Sequence, residues 1–345
     1  VPMSFDTATA GSGIVAASVS GKVGDALFAA ITGRTLADAQ AMFDSGNPKT
    51  TGFSVPGASL AIKTVVEREK QTGTNVVAYL PATGPLTGVA KPWMAAGAHF
   101  DHLGDGRHGN SLARKDEIGQ MHPGADDNAS GTSALLTLAE LVAKQPRHRN
   151  VLLLFWSGEE IGLVGSAAYA AKPALPLDTM EAYVNFDMVG RAVDNKVTIQ
   201  ALGTSPIWAK VIEQANIAAG FDLQLQDDPY QPTDVATFNT AGVPCITFFT
   251  GTHVDYHRPS DLAEHINFED LDRIAAMGAA IVRRVGDMAE PPAFVKVEQA
   301  TQSGAGRAGV RVYTGTIPDY AADTKGLLLS GVVGGGPAEL AGLQK

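Results

Sequence analysis

Val151-Leu152-Leu153-Leu154-Phe155-Trp156-Ser157-Gly158-Glu159-Glu160 is the stretch that decides the fold. Six apolar residues run without a polar break. A strand with one wet face alternates apolar and polar residues, whereas a strand covered on both faces does not. The run therefore reads as a central strand of a sheet with helices on both sides. It is far short of the roughly 20 residues that a membrane helix needs. Ser157-Gly158 stops the strand, and two carboxylates follow at once.

Working outward, strands and helices alternate. Strands are predicted over Ala58 to Glu67, Asn75 to Leu80, Trp93 to Ala98, Ala182 to Phe186 and Cys245 to Phe249, with a turn at Thr72-Gly73-Thr74. A helix from Thr132 to Lys144 carries Leu135, Leu138, Leu141 and Val142 on one face, and Pro146 follows it. A second, Ile207 to Ala219, ends at Gly220. Asn267 caps a third, with Leu271, Ile274, Ile281, Val282 and Val285 facing inward. Near the start, helices are predicted over Val23 to Ala30 and Leu36 to Phe43, with a linker at Ser45 to Lys49. This order implies an α/β fold with a mixed, centrally parallel sheet flanked by helices.

Composition narrows the function. The chain has 345 residues, 45% of them hydrophobic, enough for one large domain or two smaller ones. A net charge of −10 argues against nucleic acid or an anionic membrane as partner. The lone Cys245 sits in an apolar run and reads as a buried hydrophobe; no internal disulfide is possible. No apolar stretch is long enough to span a membrane. No secretory signal is visible, and both ends read as trimmed.

Candidate ligands collect just beyond predicted strands. His99 and Asp101 follow Trp93–Ala98, Glu159 and Glu160 follow Val151–Trp156, Asp187 follows Ala182–Phe186, and His257 lies a short loop beyond Phe249. Open α/β sheets bind ligands at that edge. The Gly124-Ala125-Asp126-Asp127-Asn128-Ala129-Ser130-Gly131 segment adds two more carboxylates. Two histidines, lone carboxylates and a Glu-Glu pair are the donors of a two-metal hydrolase. Imidazole and carboxylate suit zinc and, less selectively, cobalt or manganese. One carboxylate must bridge the ions, and one outside the ligand set can move a proton. Adjacent side chains point in different directions, so the Glu-Glu pair can supply one ligand and one base.

From about Ala58 to Ala289 these motifs resemble the dizinc aminopeptidase family. Bacterial leucyl aminopeptidases are members; glutamate carboxypeptidase and the transferrin receptor are more distant ones. The resemblance implies the fold of the zinc exopeptidases, which is phosphorylase/hydrolase-like, and a site with two Zn²⁺. It implies His99 and Asp187 on one metal, His257 and Glu160 on the other, and Asp127 bridging. Glu159 would be the general acid/base, Asp101 the carboxylate behind His99, and Tyr256 the stabiliser of the oxyanion. A cis peptide is implied between Asp127 and Asn128. The substrates implied are peptides with a free N-terminus, and the setting a secreted or periplasmic bacterial protein.

The flanks resemble known attachments. Residues 1–50 look like the remnant of a protease-associated domain with a linker, 51–290 form the catalytic domain, and 291–345 look like a linker and a truncated PDZ segment. The latter rests on Gly315-Thr316-Ile317-Pro318-Asp319-Tyr320, Gly326 to Val332 and Gly336 to Leu343, and it implies possible peptide docking.

Rival assignments are few. His253 precedes His257 by four residues, but Tyr256 and Pro259 match the family motif around His257. Asp126 competes with Asp127 for the bridge, and the spacing to Ser130-Gly131 favours Asp127. His102, His108, His122, His148 and His265 read as surface residues or residues behind the ligands. The runner-up functions are an acidic-residue carboxypeptidase, a single-zinc glutaminyl cyclase and a non-catalytic binding module. The first needs a basic pocket, for which only Arg191 and Arg258 stand near the motifs. The other two should lack ligands that are present here.

Overall fold

The structure, a computed structural model, describes residues 19–45, 57, 59, 61, 72–107, 110–298, 316–318, 329–332, 338 and 341–343. The chain divides into two compact units, 1–71 and 72–345. In the first, helix α1 (Gly21–Thr32) begins where the Ser20 hydroxyl accepts the Val23 N–H and ends at left-handed Gly33. Helix α2 (Leu36–Asp44) opens on a reciprocal Thr35–Asp38 cap. Both contain the spans read from the sequence. The predicted strand over 58–67 falls almost wholly outside the described residues, as does most of the linker after Ser45.

The second unit holds a seven-stranded sheet. Its strands are β1 (Val76–Leu80), β2 (Trp93–His99), β3 (Asn150–Trp156), β4 (Met180–Phe186), β5 (Lys196–Gln200), β6 (Asp222–Leu225) and β7 (Cys245–Phe249), in the order β1-β3-β2-β4-β7-β5-β6. The centre is parallel: β2 pairs in parallel with β3 and β4, and β4 with β7. Antiparallel pairing occurs at β1–β3 and β5–β7. Residues 72–74 lead straight into β1 and make no turn. A separate pair, β8 (Thr316–Pro318) and β9 (Leu329–Val332), runs antiparallel.

Strand β3 shows why its sequence lacks alternation. Val151 and Leu153 join the core under α3 (Gly131–Ala143), α5 (Trp208–Ala219) and α7 (Phe268–Gly286). Leu152, Leu154 and Trp156 face the other way, onto Tyr169 of α4 (Val164–Ala171) and Phe238 of α6 (Val235–Thr240). Elements α4, α6, β5 and β6 were not anticipated. They are short, and α4 is built mainly of small residues without a clear apolar period.

Registry matters for the site. His99 lies opposite Trp156 across β2–β3, and Phe186 opposite Phe248 across β4–β7. The carboxyl ends of four parallel strands are thus level. From β2 the chain goes to β3 on one side, and from β3 it crosses to β4 on the other. That reversal opens a crevice at the end of β2, where open α/β sheets bind ligands.

At the opposite ends of the strands a glutamate is buried beside an arginine. Glu181 of β4 is fully buried with its Oε2 2.7 Å from Arg149 Nε. Arg149 spends donors on the carbonyls of Lys91, Gly286 and Met288, and neither Glu181 oxygen receives a well-directed hydrogen bond among the described residues. Burial outweighs the pull of Arg149 and Lys91 and pushes the carboxyl up to about 8. The folded chain keeps a proton that the unfolded chain releases near 4.5. This contribution to stability is full below that pH and is lost as pH rises toward 8, at up to ~1.4 kcal/mol per pH unit. Glu181→Gln cannot ionise and should flatten that fall. Urea unfolding at several values between about pH 5 and pH 8 measures the slope; an unchanged slope would contradict the assignment.

Candidate metal centre

His99 ends β2, and its ring is buried. Its Nδ1 faces the main-chain carbonyl of Asp101 at 3.0 Å. A carbonyl only accepts, so Nδ1 carries the hydrogen and Nε2 keeps its lone pair. His257 repeats the arrangement from the loop after β7, with Nδ1 3.0 Å from the Asn110 carbonyl. Both imidazoles are thus turned to present a bare Nε2 to the same cleft.

Asp127 lies between them. Its Oδ1 is 3.2 Å from His99 Nε2, and its Oδ2 is 3.1 Å from His257 Nε2. Asp187, just past β4, stands 3.5 Å from His99 Nε2 through Oδ1. Glu160, past β3, stands 3.2 Å from His257 Nε2 through Oε2. The structure therefore brings all five predicted ligands together as two half-sites that share Asp127.

The spacings test the fit to a metal. Zinc bonds of 2.0–2.1 Å in a tetrahedron place neighbouring ligand atoms about 3.3–3.4 Å apart. The four nitrogen–oxygen distances, 3.1 to 3.5 Å, bracket that value. The donor atoms of His99, Asp127 and Asp187 lie within 4.8 Å of one another. Charge agrees with geometry. Burial disfavours a proton on His99, yet Asp187, Asp101 and Asp127 raise its pKa well above the ordinary value. The carboxylates of Asp127 and Glu160 likewise drive His257 up to about 10 despite burial. So many partly buried carboxylates call for positive charge, and bound cations would supply it.

The remaining predicted residues line the same place. Glu159 Oε2 is 4.0 Å from His99 Nε2, outside the close ligand pairs. Burial, with Asp187, Asp234 and Glu160 nearby, raises its carboxyl well above the usual range. Asp101 turns its carboxylate onto the Glu159 N–H at 3.2 Å, and stands 3.6 Å from His99 Nδ1. The Tyr256 ring stacks on His257, centroids 3.8 Å apart. Burial and the surrounding carboxylates raise its phenol well above 10, so the hydroxyl keeps its hydrogen.

The rivals go elsewhere. Asp126 accepts from the Gly190 N–H at 2.7 Å and meets His253 Nε2 at 3.1 Å, so both face away from the cluster. Arg191 pairs with Asp255 at 3.2 Å and Arg258 with Glu117 at 2.6 Å. His148 and His265 are at the surface, and His108 lies outside the described residues. His122 is buried.

Three residues were missed or underrated. His102 is 8% exposed and touches Glu160. Asp234 is fully buried, neither of its oxygens has a hydrogen-bond partner among the described residues, and burial raises it to about 7 against the pull of His99. Asp261, also fully buried, accepts the N–H groups of Asp126 and Asp127. Nothing in sequence spacing distinguishes such carboxylates from surface ones.

A cleft of about 80 Å³ opens over the cluster, walled by Met188, Gln200, Thr233, Thr247 and Phe249. A larger cavity, about 250 Å³, lies at the opposite strand ends beside Arg147 and Arg149. Among the described residues no group of three or more possible metal ligands gathers there, whereas the smaller cleft is lined by His99, Asp127, Glu160, Asp187 and His257. The peptide bond between Asp127 and Asn128 is cis, as the resemblance implied.

A mixed sheet here gathers imidazoles and carboxylates, the donor types of a metal site, at its parallel strand ends. Residues 75–282 match peptidase family M28, and the chain belongs to that family. It is 26% identical over 277 residues to a probable lipoprotein aminopeptidase of Mycobacterium tuberculosis, covering 69% of this chain and 50% of that protein. It is 28% identical over 191 residues to an aminopeptidase of Bacillus subtilis, covering 52% and 42%. The chain thus spans half or less of these relatives' length. The fold is similar to a zinc aminopeptidase of Bacillus subtilis, with a TM-score of 0.50 and 24% identity over 61% of this chain and 49% of that one. An aminopeptidase of an Aneurinibacillus strain gives 0.51 and 22%, over 65% and 50%.

Asp261 offers a direct test of how the loop is held. Asp261→Ala leaves the buried N–H groups of Asp126 and Asp127 unpaired, at about 1–3 kcal/mol for each such group. We expect a lower thermal midpoint and weaker retention of zinc on dialysis. A variant that matches the parent in both would remove Asp261 from the account.

Proposed function

We propose that the cluster holds two divalent cations, zinc first with cobalt or manganese as substitutes, and that the protein removes residues from the N-terminus of peptides. The observation that carries this reading is the division of Asp127, one oxygen to each half-site at matching distances. His99, Asp127 and Asp187 would hold one cation, and His257, Asp127 and Glu160 the other. Relatives named as aminopeptidases support the substrate class.

Bound cations supply Lewis acidity and a water made nucleophilic near neutral pH. The rest falls to side chains. Glu159, outside the ligand pairs, takes the proton of the attacking water and passes it to the leaving amine. Asp101 fixes the backbone of that base. Tyr256 keeps its phenolic hydrogen and donates it to the developing oxyanion. The free α-amine of the substrate finds counter-charge among the carboxylates, and the neutral cleft wall takes an uncharged side chain. The carboxypeptidase alternative needs free basic groups. Arg191 and Arg258 are both spent on carboxylates, which ranks it below. The flanking segments, a protease-associated remnant over 1–50 and a PDZ-like segment over 291–345, belong to the same proposal and rest on their sequence motifs alone.

Three experiments test the reading. A strong chelator should abolish hydrolysis and zinc or cobalt restore it. Glu159→Gln should lower kcat by about 10²–10⁴ with two cations retained, and Glu160→Gln should lose cation instead. The reverse pattern would exchange the two roles. Separately, a leucine-p-nitroanilide substrate should be cleaved and its N-acetyl form ignored. Loss of a charge-assisted contact costs about 1.5–3 kcal/mol, and the acetyl group adds bulk. Similar kcat/KM values for both forms would reject the aminopeptidase reading.

A further inference from the structure

The Glu160 carboxylate gives its two oxygens to two different imidazoles. Oε2 turns to His257 Nε2 at 3.2 Å, inside the half-site that the two share with Asp127. Oε1 lies 2.6 Å from His102 Nδ1. A carboxylate can only accept, so His102 donates, and the bond is of the short, charge-assisted kind. Both side chains are buried, His102 at 8% and Glu160 at 5% exposure. The His102 ring also stands edge-on to His257, centroids 5.7 Å apart.

The loop carrying Asp127 is shaped around this ring. Gly124 has a left-handed φ of 62°, and a Cβ there would fall 2.6 Å from His102 Cγ and strike the Asp127 carbonyl. Glycine alone lets the chain pass over the imidazole on its way to Asp127. His99 and His102 leave the same strand end. One therefore serves the first half-site, and the other reaches behind the second.

His102 could itself be taken for a ligand, since its donor atoms come within 4.8 Å of those of Asp127 and Glu160. The 2.6 Å separation speaks against it. Two ligands of one tetrahedral zinc stand about 3.3–3.4 Å apart, whereas 2.6 Å is a hydrogen bond.

We propose that His102 is a positioning residue: by donating Nδ1–H to Oε1 it confines Glu160 to one-oxygen coordination through Oε2, and so sets the affinity and coordination number of the second half-site. This rests on the two-cation reading above. It extends that reading to a residue that touches neither cation nor substrate.

The test uses the full chain, stripped of metal and titrated with Co²⁺ while visible absorption is recorded, with zinc retention against a graded chelator measured in parallel. In His102→Ala one of the two cations, the one proposed beside Glu160 and His257, should bind about 10–100-fold less tightly, the usual cost of losing a partner behind a metal ligand. The other cation should be unaffected. Cobalt absorption from that half-site should also fall, because Glu160 is freed to bind through both oxygens. His102→Asn places an amide donor near the position of Nδ1 and should restore affinity and spectrum. His102→Gln keeps bulk but places its donor where Nε2 was, and should behave like alanine. Should the alanine variant fail to fold, the asparagine–glutamine pair decides the matter alone. Unchanged affinity in both His102→Ala and His102→Gln overturns the inference. A loss in His102→Asn equal to that in alanine, with a nitrogen donor gone from the cobalt spectrum, overturns it in favour of His102 as a ligand. A parent protein that takes up one cation only rejects both this inference and the two-cation reading. Two cations with His102 silent reject this inference by itself.

Discussion

The carboxylate of Asp127, shared between His99 and His257, is the interaction on which the rest depends. Each histidine meets one of its oxygens, and each reaches it from a different strand. His99 comes from the end of β2 and His257 from the loop after β7, with β4 lying between those strands in the sheet. Only a residue over the crevice can face both. The segment from Gly124 to Ser130 is held there from behind. Asp261 takes the N–H groups of Asp126 and Asp127, and the Asn128 side chain bonds the Phe186 carbonyl and the Gly131 and Met188 N–H groups. A segment so braced leaves Asp127 little freedom to shift between the two histidines.

The sheet supplies the second constraint. Parallel pairing in fixed register levels the carboxyl ends of β3, β2, β4 and β7. Residues one or a few positions past those ends then converge without long loops. The concentration of carboxylates this creates is unfavourable by itself. The upward shifts at His99, His257 and Glu159 express it. Bound cations, as proposed above, would neutralise such a cluster.

Much of this was legible in the sequence, for definable reasons. Strand β3 announced itself because an unbroken apolar run of strand length is cut off by Ser157-Gly158. Helix α7 did so because Asn267 and its apolar period agree, and the Asn267 side chain indeed accepts the Asp270 N–H. His99, Glu160, Asp187 and, after a short loop, His257 stood out as candidates because each lies past a strand, whereas Asp127, far beyond the end of β2, was singled out by the resemblance of its own segment. Elements α4, α6, β5 and β6 escaped because short segments carry too few periods to register. His102, Asp234 and Asp261 escaped for another reason. Burial sets all three apart, and two have a partner far along the chain: Asp261 bonds a residue 135 positions away, and His102 one 58 away. Spacing cannot encode such contacts.

The cleft wall shows how the core reaches into the site. Trp156 Nε1 donates to Tyr183 Oη at 2.9 Å, and that hydroxyl donates to Asn185 Oδ1 at 2.7 Å. Asn185 then donates from Nδ2 to the hydroxyls of Thr233 and Thr247, at 3.0 and 3.2 Å. Every donor in this chain points the same way. It starts in the core between α4 and α6 and ends on two residues that line the cleft. Gly97 makes the path possible, since a side chain there would collide with the Tyr183 hydroxyl. A buried tyrosine and asparagine stay affordable only while every member of the chain is satisfied. The polarity of the wall facing the substrate is therefore set two layers below it, and replacing either threonine with an apolar residue would leave an Asn185 donor unpaired in the core.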